Sequence, residues 1–517
     1  MRLWSLGTNP PSMFRDEAEK GYTAWILART GGYLYFDLTP GQNAIRFQKW
    51  PLFINVLGVY TSATYQYAAM PFVGLFGLNE FTSRLPAALA GILTVLLVFF
   101  LIRKGTKDDR IALFAAFFLA VSPWHVLFSR WALQGIFLPL LVTLGLLFFL
   151  KGIEKKPVHL LLSGVFFGLA FYTYAVGRLF VPLLLICLVV IYRRRLFEEK
   201  KAAIGGAVLF LLISVPTFLY YVTGDRAARF SRLSIFADAG FLQAMARFFL
   251  NYLKHYDPMF LFVYGDEEIR HSLLGMGMMY LFEAPLLLYG LVLLVKKRTP
   301  FHLVLLAWFF IFPIPAAMTR EGIPHALRSI VGLPMIPAIC AVAAGDLLGK
   351  LAGLIAREKG ARSRAIALLL FLVAMVIALN VFRMGRNLFL DYPGDSSFNW
   401  QYGVKQALAV LHDEDVSPER VYISGYITYA PYLVMFYEKT DPGKLREAGL
   451  EGLGYRFLPP GRGLNQFWEN APPGSWFILQ PWELPGRTPF RKIPEPHPVK
   501  KGMPPPKTAL KILRKNG

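Results

Sequence analysis

The chain has 517 residues, of which 55% are apolar and only 17% are charged. Ordinary soluble domains carry about 25% charged residues, so this composition excludes a typical soluble globular protein. The two cysteines, Cys187 and Cys340, both lie inside apolar runs, which argues against a disulfide framework or a cysteine metal cluster.

Before the first long apolar stretch, two acids, Asp16 and Glu17, stand side by side in NPPSMFRDEAEKGYTAW. An amphipathic helix is predicted directly after them, from Ala18 to Ala28. Acids at a helix N-terminus are favoured by the helix dipole, so the pair has a purely structural explanation as well as a catalytic one. The following apolar stretch, 66–78, contains Pro and Gly and is shorter than a span, which predicts an interfacial or re-entrant segment.

Ten apolar stretches between Arg84 and Phe382 reach, or nearly reach, the roughly 17–25 residues that a membrane-crossing helix requires. They cover residues 84–102, 111–128, 131–150, 158–175, 179–192, 202–221, 278–295, 300–317, 329–348 and 365–382. These stretches predict an all-α polytopic membrane bundle over residues 66–382, with 179–192 as its shortest span.

Clusters of Lys and Arg fall in every second loop of this bundle. The clusters lie at 103–110, 151–156, 193–201, 296–298 and 350–364. Such loops face the cytoplasm under the positive-inside rule, which places both termini and the long loop 222–277 outside. Loop topology thereby explains the formal charge of +22. Because the Lys and Arg are divided among short loops and form no single basic surface, we predict no nucleic-acid partner.

This orientation places residues 1–65 outside as a first extracytoplasmic loop, although the first residues, MRLWSLGTNPPSMFRDEAEKG, contain no apolar core of a signal peptide. Membrane insertion requires a helix that delivers such a loop. We therefore expect a further N-terminal helix of about 20 apolar residues upstream of this sequence.

From residue 383 onward Pro, Gly, Trp and charge increase, and no further span is predicted. The run FNWQYGVKQALAVLHDED has apolar residues at helical spacing, while VYISGYI and SWFILQ are typical strands. Residues 383–517 are therefore predicted to form a small extracytoplasmic α/β domain, with a disordered basic, Pro-rich tail from Pro494.

The predicted outer loops contain unexpected cations and acids. The residues concerned are Arg130 in SPWHVLFSRWALQG, Arg178 in YTYAVGR, Asp266, Arg270 and His271 in YGDEEIRHS, and Arg320, His325 and Arg328 in TREGIPHALRS. An Arg in a span centre costs about 2.5–3.5 kcal/mol, which snorkelling to the interface or an anionic ligand can relieve. A phosphate-bearing ligand at the outer leaflet is the simplest single explanation, because Arg binds phosphate bidentately.

Several runs together resemble bacterial GT-C glycosyltransferases. The runs are PPSMFRDEAEKGYTAW, LFGLNEFTSRLPAALAGILTVLL, SPWHVLFSR, YTYAVGR, FLFVYGDEEIRHS and PHALRSIVGLP. More narrowly, they resemble the protein O-mannosyltransferase and aminoarabinose transferase group, which take sugars from polyprenyl phosphate. The similarity extends from Leu6 to Pro337. Family proteins normally begin with a transmembrane helix before the Asp-Glu loop, in agreement with the expected upstream helix.

The resemblance implies that Asp16 is the general base that deprotonates the acceptor during an inverting displacement, with Glu17 supporting it or holding the acceptor. It also implies a donor-binding set that neutralises the lipid phosphate and contacts the sugar. This set is Arg130, Arg178, Asp266, Arg270, His271, Arg320, His325 and Arg328. Relatives differ in metal dependence, so a divalent metal is left open, with Asp16, Glu17 and His271 as candidate ligands. One departure is Gln134, where many relatives carry an acid.

The function expected on this basis is a hexosyl or pentosyl transfer from a polyprenyl-phosphate donor. The enzyme would be a multi-pass protein of the cytoplasmic (inner) membrane with its active site on the extracytoplasmic side. Two alternatives remain: a flippase or transporter of a lipid-linked sugar, and an oligosaccharide polymerase or ligase. Transporters usually place charges near mid-membrane within repeated halves, and neither feature is visible in this sequence. The acceptor, whether protein, lipid or glycan, stays open.

Overall fold

The computed structural model describes residues 1–37, 44–56, 59–154, 156–222, 234–357, 361–461, 463–496 and 508–515, and it is mostly helical. Part of the predicted outer loop, 223–233, and most of the predicted tail lie outside these residues. Contacts divide the chain into two compact units. The helical unit comprises Met1–Arg2, Ala87–Ser129 and Gln134–Asn387, and the mixed unit comprises Leu3–Pro86, Arg130–Leu133 and Leu388–Gly517.

The helices and strands follow one another along the chain in this order. They are α1 (Arg15–Thr30), β1 (Gly32–Asp37), β2 (Ala44–Lys49), β3 (Phe53–Val56), β4 (Val59–Ser62), α2 (Thr64–Phe76), α3 (Glu80–Thr106), α4 (Asp109–Val121), α5 (Pro123–Phe128), α6 (Phe137–Glu154), α7 (His159–Thr173), α8 (Gly177–Glu198), α9 (Lys200–Val222), α10 (Phe241–Lys254), α11 (Glu283–Lys297), α12 (Pro300–Ile311), α13 (Ile314–Ala317), α14 (Met335–Arg357), α15 (Ala361–Arg386), α16 (Tyr392–Asp395), α17 (Val404–Asp413), β5 (Val421–Ile423), α18 (Ala430–Tyr437), α19 (Pro442–Ala448), β6 (Arg456–Phe457), α20 (Leu464–Asn470), β7 (Trp476–Leu479), β8 (Arg491–Pro494) and β9 (Thr508–Arg514).

Among the described residues, six helical segments are long and apolar enough to cross a membrane. They are Glu80–Thr106, Gln134–Glu154, Lys200–Tyr220, Pro300–Ala317, Ile330–Arg357 and Arg362–Asp395. The protein is therefore a multi-pass membrane protein. The predicted count of ten is not confirmed, because stretches such as 111–128 and 278–295 form the shorter helices α4, of 13 residues, and α11, of 15 residues.

Helices α7 and α9 of the helical unit approach each other through glycines. A Cβ atom at Gly164 would lie 2.0 Å from the carbonyl oxygen of Gly206, and a Cβ at Gly206 would lie 2.4 Å from that of Leu160. Small residues of this kind let membrane helices pack backbone to backbone, where hydrophobic burial provides little driving force. The glycines in SGVFFG and AIGGAV thus fix this helix pair.

The mixed unit combines two antiparallel hairpins, β1–β2 and β3–β4, with a five-stranded sheet of order β6-β5-β7-β9-β8. Strand β5 runs parallel to β6 and β7, whereas β9 is antiparallel to β7 and β8. Strands β5 and β7 occur within the predicted strand runs. The prediction of a disordered tail is wrong for Thr508–Arg514, because Leu510, Ile512 and Leu513 are buried in this sheet.

Helix α1 packs against α2 and α18 within the mixed unit. The approach is close at Gly21, where a Cβ atom would lie 2.5 Å from the Ser83 hydroxyl and 2.8 Å from the Phe436 ring. The C-terminal segment and the predicted first loop therefore belong to one compact unit. This packing fixes the start of α1, where the adjacent acids Asp16 and Glu17 lie.

Candidate active site

Asp16 and Glu17 occupy the first turn of α1, where the helix dipole favours acids. The helix begins after Phe14, whose backbone is extended and whose N–H donates to the Glu17 carboxylate at 3.2 Å. Because neighbouring helix positions point about 100° apart, the two carboxylates enter different surroundings. The structural explanation of the acid pair therefore holds for Glu17, whereas Asp16 lies in different surroundings.

The Glu17 side chain is fully buried and its carboxylate is saturated with donors. The Arg84 guanidinium binds it in a bidentate manner, with Nε 3.1 Å from Oε1 and Nη2 2.8 Å from Oε2. The Ala132 N–H adds a third partner at 2.7 Å from Oε1, beside the Phe14 N–H. A charge-assisted pair of this geometry is strong and rigid, so Glu17 holds the loop together and has little acceptor capacity left for a substrate.

Asp16 differs from its neighbour, because 44% of its side chain is exposed. Its carboxylate makes a loose ion pair with Arg15, at 3.7 Å from Nε. Arg15 is itself held by the C-terminal segment, since its Nη1 donates to Thr428 at 2.8 Å and its guanidinium stacks over the Tyr429 ring at 4.8 Å. The backbone N–H of Arg15 also donates to the Gln401 side chain at 2.9 Å. The C-terminal segment thus borders the accessible acid.

Arg84 binds more of this region than any of the residues discussed above, and its role was not predicted from the sequence. In addition to Glu17, its guanidinium donates to the carbonyl oxygens of Leu6, Pro10 and Ser12, and it lies 5.7 Å from the Trp400 ring centre. One buried cation therefore organises the whole segment that precedes Asp16. The available signal was a charged residue at the start of the predicted span 84–102, where a charge is costly unless it is paired or reaches the interface.

Arg130, predicted to bind donor phosphate, is completely buried in the mixed unit. Its guanidinium donates to the backbone oxygens of Trp4, Ser5 and Asn9. Burial, together with the nearby Arg84, lowers the pKa of Arg130 to about 9, so the side chain stays cationic at neutral pH. These contacts show Arg130 holding the N-terminal loop, and its action on a donor remains a prediction.

A third acid of α1, Glu19, is buried and was also missed by the sequence analysis. Its carboxylate accepts from Thr23 at 3.1 Å and Gln66 at 3.2 Å, and it pairs with Lys20 at 3.3 Å. Burial raises its pKa despite the charge of Lys20. Glu19 therefore links α1 to α2 and leaves Asp16 as the more accessible acid of this helix.

In the helical unit, two motifs about 60 residues apart meet: YGDEEIRHS and TREGIPHALRS. The Asp266 carboxylate accepts from His271 Nδ1 at 2.8 Å, from the Ala326 N–H at 2.8 Å and from the Glu268 N–H at 2.9 Å. The His271 and His325 rings lie 4.8 Å apart between centres. Burial alone would raise the pKa of Asp266, but the hydrogen bond from His271, the neighbouring imidazoles and the Ala326 N–H outweigh it and lower the pKa.

His255, which directly follows α10, binds the backbone of His325 and so supports the group of Asp266, His271 and His325. Its Nε2 accepts from the His325 N–H at 3.3 Å, while its Nδ1 lies 2.8 Å from the Asn251 carbonyl oxygen. Burial lowers the pKa of His255 to about 4. Burial, aided by the charge of Arg328, lowers the pKa of His325 to about 2, so both imidazoles are neutral at physiological pH. His255 was not identified from the sequence.

The predicted phosphate-binding arginines of the helical unit are partly exposed. Arg270 pairs with Glu268 at 3.0 Å, and Arg320 pairs with Asp238 at 3.3 Å. Arg328 donates to the Thr319 hydroxyl at 2.7 Å and to the Glu321 carbonyl oxygen at 2.8 Å. Arg178 lies in the first turn of α8, also half-buried. These cations keep part of their surface accessible, in contrast to Arg130.

One group among the described residues has the donors for a metal ion. The ligand atoms of Asp266, His271 and His325 all lie within 4.8 Å of one another, and an N,N,O donor set of this kind suits Zn²⁺. Glu17 fits a metal poorly, since Arg84 and two backbone N–H groups occupy its oxygens. Asp16 belongs to the mixed unit and His271 to the helical unit.

The fold is shared with known membrane glycosyltransferases. ArnT from Cupriavidus metallidurans in the apo state is 15% identical, with a TM-score of 0.52 over 99% of this chain and 95% of that chain. The same protein bound to undecaprenyl phosphate is 15% identical, with a TM-score of 0.50 over 93% and 91%. The apo oligosaccharyltransferase from Archaeoglobus fulgidus is 13% identical, with a TM-score of 0.50 over 89% of this chain and 62% of that chain. These similarities confirm the predicted resemblance to GT-C glycosyltransferases.

At the sequence level, residues 63–220 match the family described as dolichyl-phosphate-mannose-protein mannosyltransferase. The matched region contains Arg84, Arg130 and Arg178, while the Asp16–Glu17 pair precedes it. No curated protein sequence matches the chain. The narrower resemblance to the mannosyltransferase group therefore rests on this region and on the shared fold.

Proposed function

We propose that the chain is a membrane glycosyltransferase that moves a hexosyl or pentosyl group from a polyprenyl-phosphate donor to an acceptor hydroxyl or amine. The reaction would occur at the extracytoplasmic face of the cytoplasmic membrane. The observation that carries this proposal is the difference between the two neighbouring acids, since Glu17 is saturated by Arg84 and Asp16 is half-exposed. The fold shared with ArnT, which has been seen bound to undecaprenyl phosphate, supports the donor class.

In the proposed mechanism, Asp16 accepts the proton of the acceptor while the acceptor oxygen or nitrogen attacks the anomeric carbon. The bond between that carbon and the phosphate oxygen breaks, and polyprenyl phosphate leaves with the electron pair. Because the displacement is direct, the anomeric configuration inverts. A general base of this kind must reach the acceptor through a hydrogen bond, and it contributes roughly 10²–10⁴-fold to the rate. The exposure of the Asp16 carboxylate meets the first requirement.

Partly exposed cations would neutralise the donor phosphate as negative charge develops on the leaving oxygen. Arg178, Arg270, Arg320 and Arg328 supply this charge in the proposal. Glu17 and Arg130 act through the loop that they hold, because their polar atoms are bound to the protein itself. The C-terminal segment is proposed to border the acceptor, since Thr428 and Gln401 contact Arg15 beside Asp16.

Asp266, His271 and His325 would hold a divalent metal if the enzyme uses one. Such an ion would supply positive charge toward a phosphate oxygen. Without an ion, Asp266 keeps the two outer loops joined by accepting from the Ala326 N–H, and His325 keeps its position against His255.

The test is donor turnover by the purified chain in lipid nanodiscs, with a panel of undecaprenyl-phosphate sugars and membrane extract as the acceptor source. Free undecaprenyl phosphate is measured by mass spectrometry. We expect release from at least one donor, and a fall of at least about 100-fold in Asp16→Asn, as expected for loss of a general base. The matched control is Asp413→Asn, an exposed acid at the end of α17 in the same unit, which should keep full turnover.

Turnover of Asp16→Asn near that of the wild type would overturn the assignment of the base. If no donor is consumed but undecaprenyl-linked sugar crosses liposome membranes in the presence of the protein, the transporter alternative replaces the transferase.

A further inference from the structure

Helix α10, Phe241–Lys254, has three chemically different sides. Its sequence, FLQAMARFFLNYLK, is strongly amphipathic, yet only Ala244 is fully buried. Successive residues turn by about 100° around a helix, so the sides can be assigned from position as well as from contacts. One side docks on the helical unit, a second is apolar and exposed, and a third is polar.

The docked side of α10 lies against the C-terminal half of a candidate membrane span, Pro300–Ala317. Asn251 donates to the Ala317 and Thr319 carbonyl oxygens at 3.3 and 2.9 Å, and Tyr252 donates to that of Phe310 at 2.8 Å. The contacts lie toward the end of the span that is remote from the basic cluster 296–298, which is the predicted outer end. Helix α10 is therefore fixed at the level where this span leaves the bilayer.

The apolar side of α10 is largely exposed in the helical unit. Leu242 is 83% exposed, and Phe249, Leu250 and Leu253 are each 62% exposed. On the adjoining span, Phe310, whose carbonyl oxygen accepts from Tyr252 of α10, is itself 55% exposed. Exposed apolar side chains on a helix that docks on the outer end of a membrane span fit a lipid environment.

The polar side of α10 carries Gln243, Arg247 and Lys254, which lie about 20–60° beyond the edge of the apolar sector. Arg247 binds Asp238 at 2.8 Å, and Asp238 also pairs with Arg320 at 3.3 Å. A helix with large apolar side chains on one side and basic residues along the next is typical of helices that lie in the membrane interface. Tyr252 adds an aromatic side chain of the kind enriched at that level.

We propose that α10 lies in the plane of the outer leaflet, with its apolar side inserted at the boundary between lipid headgroups and acyl chains. This inference is independent of the transferase activity. His255 directly follows α10 and accepts a hydrogen bond from the His325 N–H. The interfacial helix thereby tethers the group of Asp266, His271 and His325 at the depth of the lipid headgroups.

The experiment compares neighbouring residues at both ends of the helix. In the full chain with Cys187→Ala and Cys340→Ala, single cysteines are introduced as Leu242→Cys, Gln243→Cys, Leu253→Cys and Lys254→Cys, and each is labelled with bimane. Members of a pair are adjacent in sequence but point about 100° apart, so each polar position controls for its apolar neighbour. The variants are reconstituted in nanodiscs that contain phosphatidylcholine with a nitroxide on the upper acyl chain.

We expect at least about twofold stronger quenching by the nitroxide lipid at Leu242→Cys and Leu253→Cys than at their partners, since an interfacial helix buries its apolar side about 5–10 Å into the boundary. Aqueous iodide should show the reverse order. Equal lipid quenching within both pairs would overturn the proposal. Protection of the apolar positions from both lipid and iodide would also overturn it, because another protein surface, such as a second copy, would then cover this side.

Discussion

Two buried acids, Glu17 in the mixed unit and Asp266 in the helical unit, illustrate different ways of holding a loop. Glu17 is paired with the full charge of Arg84, and both side chains are at most 1% exposed. Asp266 is held by the His271 imidazole and two backbone N–H groups, while the cations around it stay partly exposed. In the first arrangement Arg84 is buried by the pairing itself. In the second, the arginines near Asp266 stay partly exposed.

The difference separates supporting charges from those that can meet a ligand. Around Glu17, the Arg84 guanidinium is divided between one carboxylate and three backbone carbonyl oxygens, so the neighbouring Asp16 is the acid with accessible surface. Around Asp266, Arg270 and Arg328 bind Glu268 and Thr319 and stay partly exposed. A charged side chain can meet a substrate only where part of its surface is exposed.

The largest effect is expected for Glu17→Gln, which leaves the buried Arg84 without its counter-charge. Removing one partner of a buried ion pair typically costs about 3–5 kcal/mol. We expect a strong fall in the thermal unfolding temperature of the purified protein, measured by intrinsic fluorescence in detergent, and a loss of folded material. Activity should fall with the folded fraction.

The control for this variant is Asp16→Asn, one residue earlier in the same helix turn. Because the Asp16 side chain is 44% exposed and its ion pair with Arg15 is loose, the unfolding temperature should stay near that of the wild type. If the two variants unfold at the same temperature, the contrast between a supporting and an accessible acid is wrong.

A smaller loss of stability is expected for Asp266→Asn. The amide can accept only through one oxygen, so its NH₂ group would face the Ala326 N–H, the Glu268 N–H or the His271 ring. A buried donor left without an acceptor costs about 1–3 kcal/mol. The unfolding temperature should fall, but less than in Glu17→Gln. An equal or greater fall would mean that Asp266 carries as much of the fold as the Glu17–Arg84 pair.

Much of the architecture could be predicted from the sequence, since apolar run length and β-branched runs reflect local physics. The multi-pass class, the helix after Asp16, and strands β5 and β7 follow from such patterns. Span count is less predictable, because α4 and α11 are shortened by breaks that hydropathy does not show. Strand β9 was missed since Pro and Lys around TALKILR are typical of a tail, whereas pairing with β7 and β8 is a long-range effect.

The candidate site shows the same limit at the level of single residues. The sequence indicates which residues are chemically capable, such as Glu17 and Arg130, but not that Arg84 and the carbonyl oxygens near the N-terminus occupy them. Asp266 and His325 were selected from separate motifs, and their meeting through the Ala326 N–H depends on tertiary packing. A signal that was missed was Arg84, a charge at the start of the predicted span 84–102, which is costly unless it is paired or reaches the interface.

The smallest stability effect is expected for Arg270→Ala, and this variant tests whether accessible cations serve the donor. The Arg270–Glu268 pair is partly exposed, so its loss should cost no more than about 1 kcal/mol. Removing a guanidinium from a phosphate site should instead raise the apparent KM for the lipid donor, with little change in the KM for the acceptor. The matched control is Arg195→Ala, which breaks a similar 3.0 Å pair with Glu198 in a predicted cytoplasmic loop. A donor KM that is unchanged in Arg270→Ala, or raised equally in Arg195→Ala, would show that Arg270 acts like a surface ion pair, and the phosphate would then have to be held by Arg178, Arg320 or Arg328.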